Sequence, residues 1–100
     1  MYTDFIQYKL ASGVTEAMLQ AAAKDVHAQW MSKQPGFISW EINLLGEEKG
    51  YMDIVRWESK DAAKNAEANM KDLPPDSPWF KCYDMTSIVS VNGTSVSKLQ

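Results

Sequence analysis

The 100-residue chain is predicted to fold as an α+β domain, a four-stranded antiparallel sheet with helices on one face. Three observations predict it. Two runs rich in β-branched and aromatic residues, Phe37–Leu45 and Tyr51–Trp57, flank a charged loop with Gly46 and Gly50 at its ends, the pattern of a β-hairpin. Helical stripes precede and follow that hairpin. A single strand-like segment then stands at each end of the chain.

The first strand is expected over Tyr2–Leu10, with Ile6, Tyr8 and Leu10 on one face and Phe5 among polar residues on the other. Ser12-Gly13 breaks it. Thr15 has the chemistry of an N-cap, and Glu16 suits the positive first turn of a helix running to about Lys33. Leu19, Ala22, Ala23, Val26 and Trp30 form its apolar stripe, and Pro35-Gly36 stops it. In the hairpin, strict alternation sets Ile38, Trp40, Ile42 and Leu44 against Phe37 and Leu45, and Met52 and Ile54 against Tyr51, Val55 and Trp57. Ser59 caps a second helix from Lys60 to about Leu73, with Ala62, Ala66, Met70 and Leu73 on its stripe and Pro74-Pro75 at its end. Ser77 and Pro78 open a short helical turn within Asp76–Tyr83. The last strand is expected over Met85–Asn92, ended by Gly93. Residues 1–93 make one domain and 94–100 a polar tail.

This β-α-β-β-α-β order is the split βαβ, ferredoxin-like arrangement. It leaves one sheet face bare. With apolar groups read on both faces of the hairpin, the bare face would be a larger patch than a soluble monomer tolerates. The expected partner is therefore a second copy, sheet against sheet, burying ~800 Å² on each subunit.

Composition excludes several classes. Hydrophobic residues make up 45% of the chain, enough for a core, and the net charge is −3 with no clustered Lys or Arg, which argues against nucleic acid. No apolar run approaches a membrane span, and Met1-Tyr2-Thr3-Asp4 does not begin a signal peptide. The single Cys82 excludes an intrachain disulfide; the expected location is cytoplasmic. His27 has Ala23 and Met31 at its helical neighbours, neither adequate as a ligand, so no metal site is expected.

Gln34-Pro35-Gly36-Phe37 after the first helix and Val55-Arg56-Trp57-Glu58-Ser59 entering the second, followed by Lys60-Asp61-Ala62-Ala63, carry a resemblance. The chain resembles the antibiotic biosynthesis monooxygenase (ABM) domains of the dimeric α+β barrel superfamily over about Tyr2–Asn92. The resemblance implies a homodimer and a pocket between the sheet and its own helices, lined by Trp57. Such relatives include cofactor-independent oxygenases of aromatic and quinol compounds, haem degraders, and domains with no known reaction. Active relatives often present an Asn near the position of Asp53, from which this chain departs. Haem degraders take an axial His from the second-helix region, and Lys60–Tyr83 contains none, so no cofactor is expected.

The candidate chemistry follows. Asp53 shares a strand face with Val55 and Trp57, and desolvation there would make its carboxylate a better base; alternatively it pairs with Lys9 or Lys81. His27 is the other candidate base, at the margin of its helix stripe. Trp30, Trp57, Trp79 and Tyr83 are the expected ligand-binding walls, although each also serves as an ordinary core aromatic. Cys82 has no His partner in sequence. The leading expectation is a dimer that binds a small apolar or aromatic molecule and oxidises it without a cofactor. The alternatives are ligand binding without turnover and a structural or regulatory dimer. A cavity of ~300 Å³ or more separates the first two from the third.

Overall fold

A computed structural model describes residues 1–100. Strand β1 (Tyr2–Tyr8) leads into helix α1 (Glu16–Gln29), followed by the hairpin strands β2 (Phe37–Leu44) and β3 (Tyr51–Trp57). Helix α2 (Lys60–Asn69), the short helix α3 (Pro78–Lys81) and strand β4 (Val89–Thr94) complete it. The strands form one antiparallel sheet in the order β2-β3-β1-β4, the ferredoxin-like arrangement. No helix is long and apolar enough to cross a membrane.

The caps are those the side chains dictate. Thr15 accepts from the Met18 amide at 3.2 Å and Ser59 from the Ala62 amide at 3.1 Å, each satisfying a free N–H of a helix start. Both helices are shorter than their stripes suggest. Trp30 leaves helical geometry (φ −136°) and Met31–Lys33 continues as a 3₁₀ turn, as Met70–Asp72 does after α2. Ser77, expected as a cap, is buried and makes no capping bond at α3. Gly36 holds φ +79° beside α2, where a Cβ would come within 2.6 Å of the Ala62 Cβ. Gly50 holds φ +86°, and a Cβ there would drive into the Tyr8 carbonyl.

Two strand expectations are corrected. Phe37 lies on the helix side, pairing with Trp57, because a bulge at Ile38 shifts the register before Ser39 meets Arg56. The outer face of β2 is consequently Ser39, Glu41 and Asn43, which is polar; only Phe5, Met52 and Ile54 at the centre and Val89 and Val91 at the β4 edge make that side apolar. The final strand also starts later than expected. Asp84 accepts from the Thr86 amide at 3.1 Å and the Thr86 hydroxyl at 2.7 Å, which folds Met85–Ser87 into a 3₁₀ turn that competes with the ladder.

Past Tyr8, the chain runs against the α3 segment rather than a strand. Leu10 bridges Tyr83, the Asp84 amide donates to the Lys9 carbonyl, the Ala11 amide donates to the Cys82 carbonyl, and the Lys9 amide donates to Ser87 Oγ, each of these bonds at 2.9 Å. This clasp fixes where Tyr83 sits. The core between sheet and helices joins Tyr2, Val26, Met31, Val55, Trp57, Ala63, Ala66 and Trp79, with a second nucleus at Tyr8, Leu19 and Cys82.

Candidate functional site

Asp53 lies on β3, between Ile6 of β1 and Ile42 of β2 in register. A central strand covered by helices keeps its carboxyl from bulk solvent, and the residue is 2% exposed. Tyr8, two residues beyond Ile6 on the same face, donates its phenolic O–H to Asp53 Oδ1 at 2.7 Å. Tyr83, held by the clasp, donates to Oδ2 at 2.8 Å and itself accepts from the Trp79 indole N–H at 2.8 Å. The two phenol rings lie 4.3 Å apart. Neither Lys9 nor Lys81 pairs with Asp53; the one ion pair of the chain is Lys49–Glu47, on the hairpin loop.

The electrostatics follow from this enclosure. Burial pushes the Asp53 carboxyl above its ordinary value, and the hydrogen bonds from Tyr8 and Tyr83, with the nearby Trp40 indole, pull against that rise. Burial first, then the Tyr83 phenol and the Asp53 charge, raise Tyr8; burial and then Asp53 raise Tyr83. Both phenols therefore stay protonated as donors, and the carboxyl is the group that titrates. Cys82 is buried against the Pro78 carbonyl and its thiol is pushed up, the reverse of what a nucleophile needs.

A cavity of about 500 Å³ lies over this cluster, between the sheet and the helices. It exceeds the ~300 Å³ lower bound of small-molecule sites. Asp53, Trp30, Trp57, Trp79 and Tyr83 all line it, so five of the six residues singled out in the sequence come together. His27 does not. It is exposed on α1, packed edge-on to Phe37 with ring centroids 5.6 Å apart, and lies outside the cavity wall. The sequence reading missed Tyr8, Trp40 and Asp4. Alternation along β1 was the available signal, since Asp4 falls on the same face as Ile6 and Tyr8.

Three indole N–H groups on this wall, those of Trp30, Trp40 and Trp57, are buried without a hydrogen-bond partner. Buried donors in folded proteins are nearly always paired. Two of these face carboxylates of the same wall, Trp40 toward Asp53 and Trp57 toward Asp4. No group of three or more His, Cys, Asp and Glu side chains is arranged to hold a metal ion. The wall contains no histidine; His27 is elsewhere.

The strand order and the helices confined to one face define a ferredoxin-like α+β domain with an aromatic cavity between its layers. Several solved structures share this fold. A variant of SnoaB, a cofactor-independent oxygenase from Streptomyces nogalater, superposes with a TM-score of 0.74 at 18% identity, covering 98% of this chain and 95% of that one. MhuD, a haem degrader from Mycobacterium tuberculosis, gives 0.67 at 15% identity over the whole of both chains. The ActVA-Orf6 monooxygenase of Streptomyces coelicolor, in complex with nanaomycin D, gives 0.65 at 15% identity over 99% and 90%. At these identities the likeness is one of fold. No family model matches the chain, and neither does any curated protein.

Proposed function

We propose that the protein binds a small aromatic or quinol compound in the cavity over Asp53 and oxidises it with O₂ without a cofactor. The observation that carries this reading is a buried carboxylate held by two phenols, with no cation, on the floor of an aromatic cavity. A phenolic substrate O–H donates to the remaining lone pair of Tyr83; its proton passes to that oxygen as the Tyr83 proton passes to Asp53 Oδ2. The resulting anion is electron-rich enough to reduce O₂ directly. In balance, a phenol with a free para C–H and one O₂ give the para-quinone and one water. The dioxygen adds at that carbon as a hydroperoxide, which loses water to leave the carbonyl. Trp30, Trp57 and Trp79 exclude bulk water from the intermediate.

The protein is also read as a homodimer. The centre of the outer sheet face is apolar, Val89 and Val91 at its edge are each 61% exposed, and Val96 and Leu99 in the tail are 98% and 90% exposed. A second copy over this face would bury them. Sedimentation at micromolar concentration should give twice 11.3 kDa, and a lone 11.3 kDa species would end this part of the reading. The free thiol of Cys82 fits a reducing, cytoplasmic setting.

Ligand binding without turnover is the second reading. It is favoured by one observation: both Asp53 oxygens already accept phenolic hydrogen bonds, so a substrate hydroxyl competes with Tyr8 and Tyr83 for the carboxylate. Oxygen uptake with a panel of naphthols and quinols decides between the two. Catalysis gives uptake that exceeds the protein-free rate, falls at least about 100-fold in Asp53→Asn, and is kept in His27→Ala. Uptake equal to the protein-free rate, with binding intact, leaves the second reading.

A further inference from the structure

Six aromatic rings make a continuous route from the cavity to the surface. Trp30 and Trp40, on the cavity wall, lie with ring centroids 6.3 and 5.6 Å from that of Trp79. Trp79 is 6.1 Å from Tyr83, Tyr83 is 4.3 Å from Tyr8, and Tyr8 is 6.0 Å from Tyr51. No step exceeds the ~7 Å reach of aromatic pairs. The hydrogen bonds follow the same route. Tyr83 and Tyr8 both donate to Asp53, and the half-buried Tyr51 donates to Oε1 of the exposed Glu16 at 3.0 Å. Each phenol of the series thus has a carboxylate placed to take its proton. Tyr2, outside the series, belongs to none of these ring pairs and donates to no carboxylate.

Core packing explains rings in contact; it does not require a base on every phenol. A phenol gives up an electron readily only when its proton leaves with it, so a hydrogen-bonded carboxylate is what its oxidation needs. Electron transfer also falls steeply with the gap between rings, which contact removes. We propose that these rings are a one-electron conduit: an oxidising equivalent arising in the cavity is taken up at Trp79 and passed through Tyr83 and Tyr8 to Tyr51 at the surface. At Tyr83 and Tyr8 the released proton stays on the buried Asp53 and returns as the electron vacancy moves on. At Tyr51 it passes to Glu16, which exchanges with water, so the vacancy comes to rest there. The oxidant is an organic peroxyl radical, a by-product of any encounter between O₂ and an aromatic radical. In balance, the peroxyl radical and the Tyr51 phenol give a hydroperoxide and the Tyr51 phenoxyl radical. One electron crosses the conduit, the Tyr51 proton leaves through Glu16, and the peroxide takes up a proton from solution. A thiol in solution then restores the phenol by giving it one hydrogen atom, itself becoming a thiyl radical. The conduit spares the indole wall, whatever compound the cavity binds.

Pulse radiolysis in azide solution tests the conduit without any substrate, because the azide radical oxidises indoles in preference to phenols at neutral pH and leaves as azide ion. Absorbance follows the decay of the indole radical and the rise of the phenoxyl radical. A nitroso spin trap followed by peptide mass spectrometry locates the phenoxyl. In the wild type the phenoxyl should rise as the indole radical decays, at a first-order rate independent of protein concentration, and the adduct should lie on Tyr51 and not on Tyr2. Tyr8→Phe keeps a ring in place but has no proton to lose, so the Tyr51 adduct should fall at least about tenfold. Tyr51→Phe should still form phenoxyl from the indole radical, now inside the protein and untrapped; it carries the test if Tyr8→Phe does not fold by circular dichroism. No phenoxyl in the wild type, a rise that scales with protein concentration, or an adduct mainly on Tyr2 overturns the conduit. So does a Tyr51 adduct undiminished in Tyr8→Phe, or a Tyr51→Phe protein that no longer forms phenoxyl.

Discussion

Removing the Tyr83 hydroxyl should cost more stability than removing that of Tyr8, and each loss should grow as pH rises. Tyr8→Phe deletes one hydrogen bond to the buried Asp53 carboxylate, at 2.7 Å. A bond to a charged group contributes ~1.5–3 kcal/mol. Tyr83→Phe deletes an equivalent bond, at 2.8 Å, and also strips the Trp79 indole N–H of its only acceptor. An orphaned buried donor adds ~1–3 kcal/mol. The expected losses are about 2 kcal/mol for Tyr8→Phe and about 3 kcal/mol or more for Tyr83→Phe. For a domain this size the latter lowers Tm by about 12 °C. The pH dependence follows from Asp53, whose carboxyl is raised by burial above its unfolded value of 3.8. A raised acid contributes stability that is complete below the unfolded value and is lost as pH rises through the folded one. Both phenols favour the carboxylate, so deleting either raises the folded value further, and the variant loses more than the wild type as pH rises. The deficit is therefore smallest when Asp53 is protonated in both proteins and largest when it is ionised in both. Urea unfolding at fixed protein concentration, followed by circular dichroism at pH 5 and pH 8, measures it. A deficit that is flat or shrinks toward pH 8, or a Tyr83→Phe loss no larger than that of Tyr8→Phe, would refute the assignment of these phenols as carboxylate donors.

Two further outcomes test the scaffold. Gly50→Ala should destabilise by about 2 kcal/mol or more in the same unfolding assay, since it combines a positive φ with a collision against the Tyr8 carbonyl. Glu47 and Glu48 both hold φ 58° in the hairpin turn, where the Lys49 amide donates to the Gly46 carbonyl. Replacing them with Asn-Gly, the pair such a turn prefers, should raise stability by about 1 kcal/mol or more.

Much of the fold was legible because local chemistry specified it. The Gly and Pro punctuation, the Thr15 and Ser59 caps and the two apolar stripes are properties of neighbouring residues. The site was half legible for the same reason. Alternation along β3 places Asp53 with Val55 and Trp57 whatever the rest of the chain does. The partners of Asp53 are another matter. Tyr8 reaches it only because Ile6 faces Asp53 across a ladder joining residues 45 apart in sequence, and Tyr83 only because Leu10 bridges back to it. Neither registration is written in a local pattern. The bulge at Ile38 defeated strict alternation in the same way, sending Phe37 to the helix side. His27 sits at a stripe margin, and which side of that margin is wet is decided by the packing of Phe37.

The clasp between the end of β1 and the α3 segment has a mechanical consequence. Tyr8 and Tyr83 are carried by two stretches of backbone that are tied together at Lys9–Ala11, so the phenols gripping Asp53 form a single jaw with one hinge region. Strain applied at Ser87 or Asp84, remote from the carboxylate, would slacken both grips at once, and a change that frees only one of them has to act on a side chain.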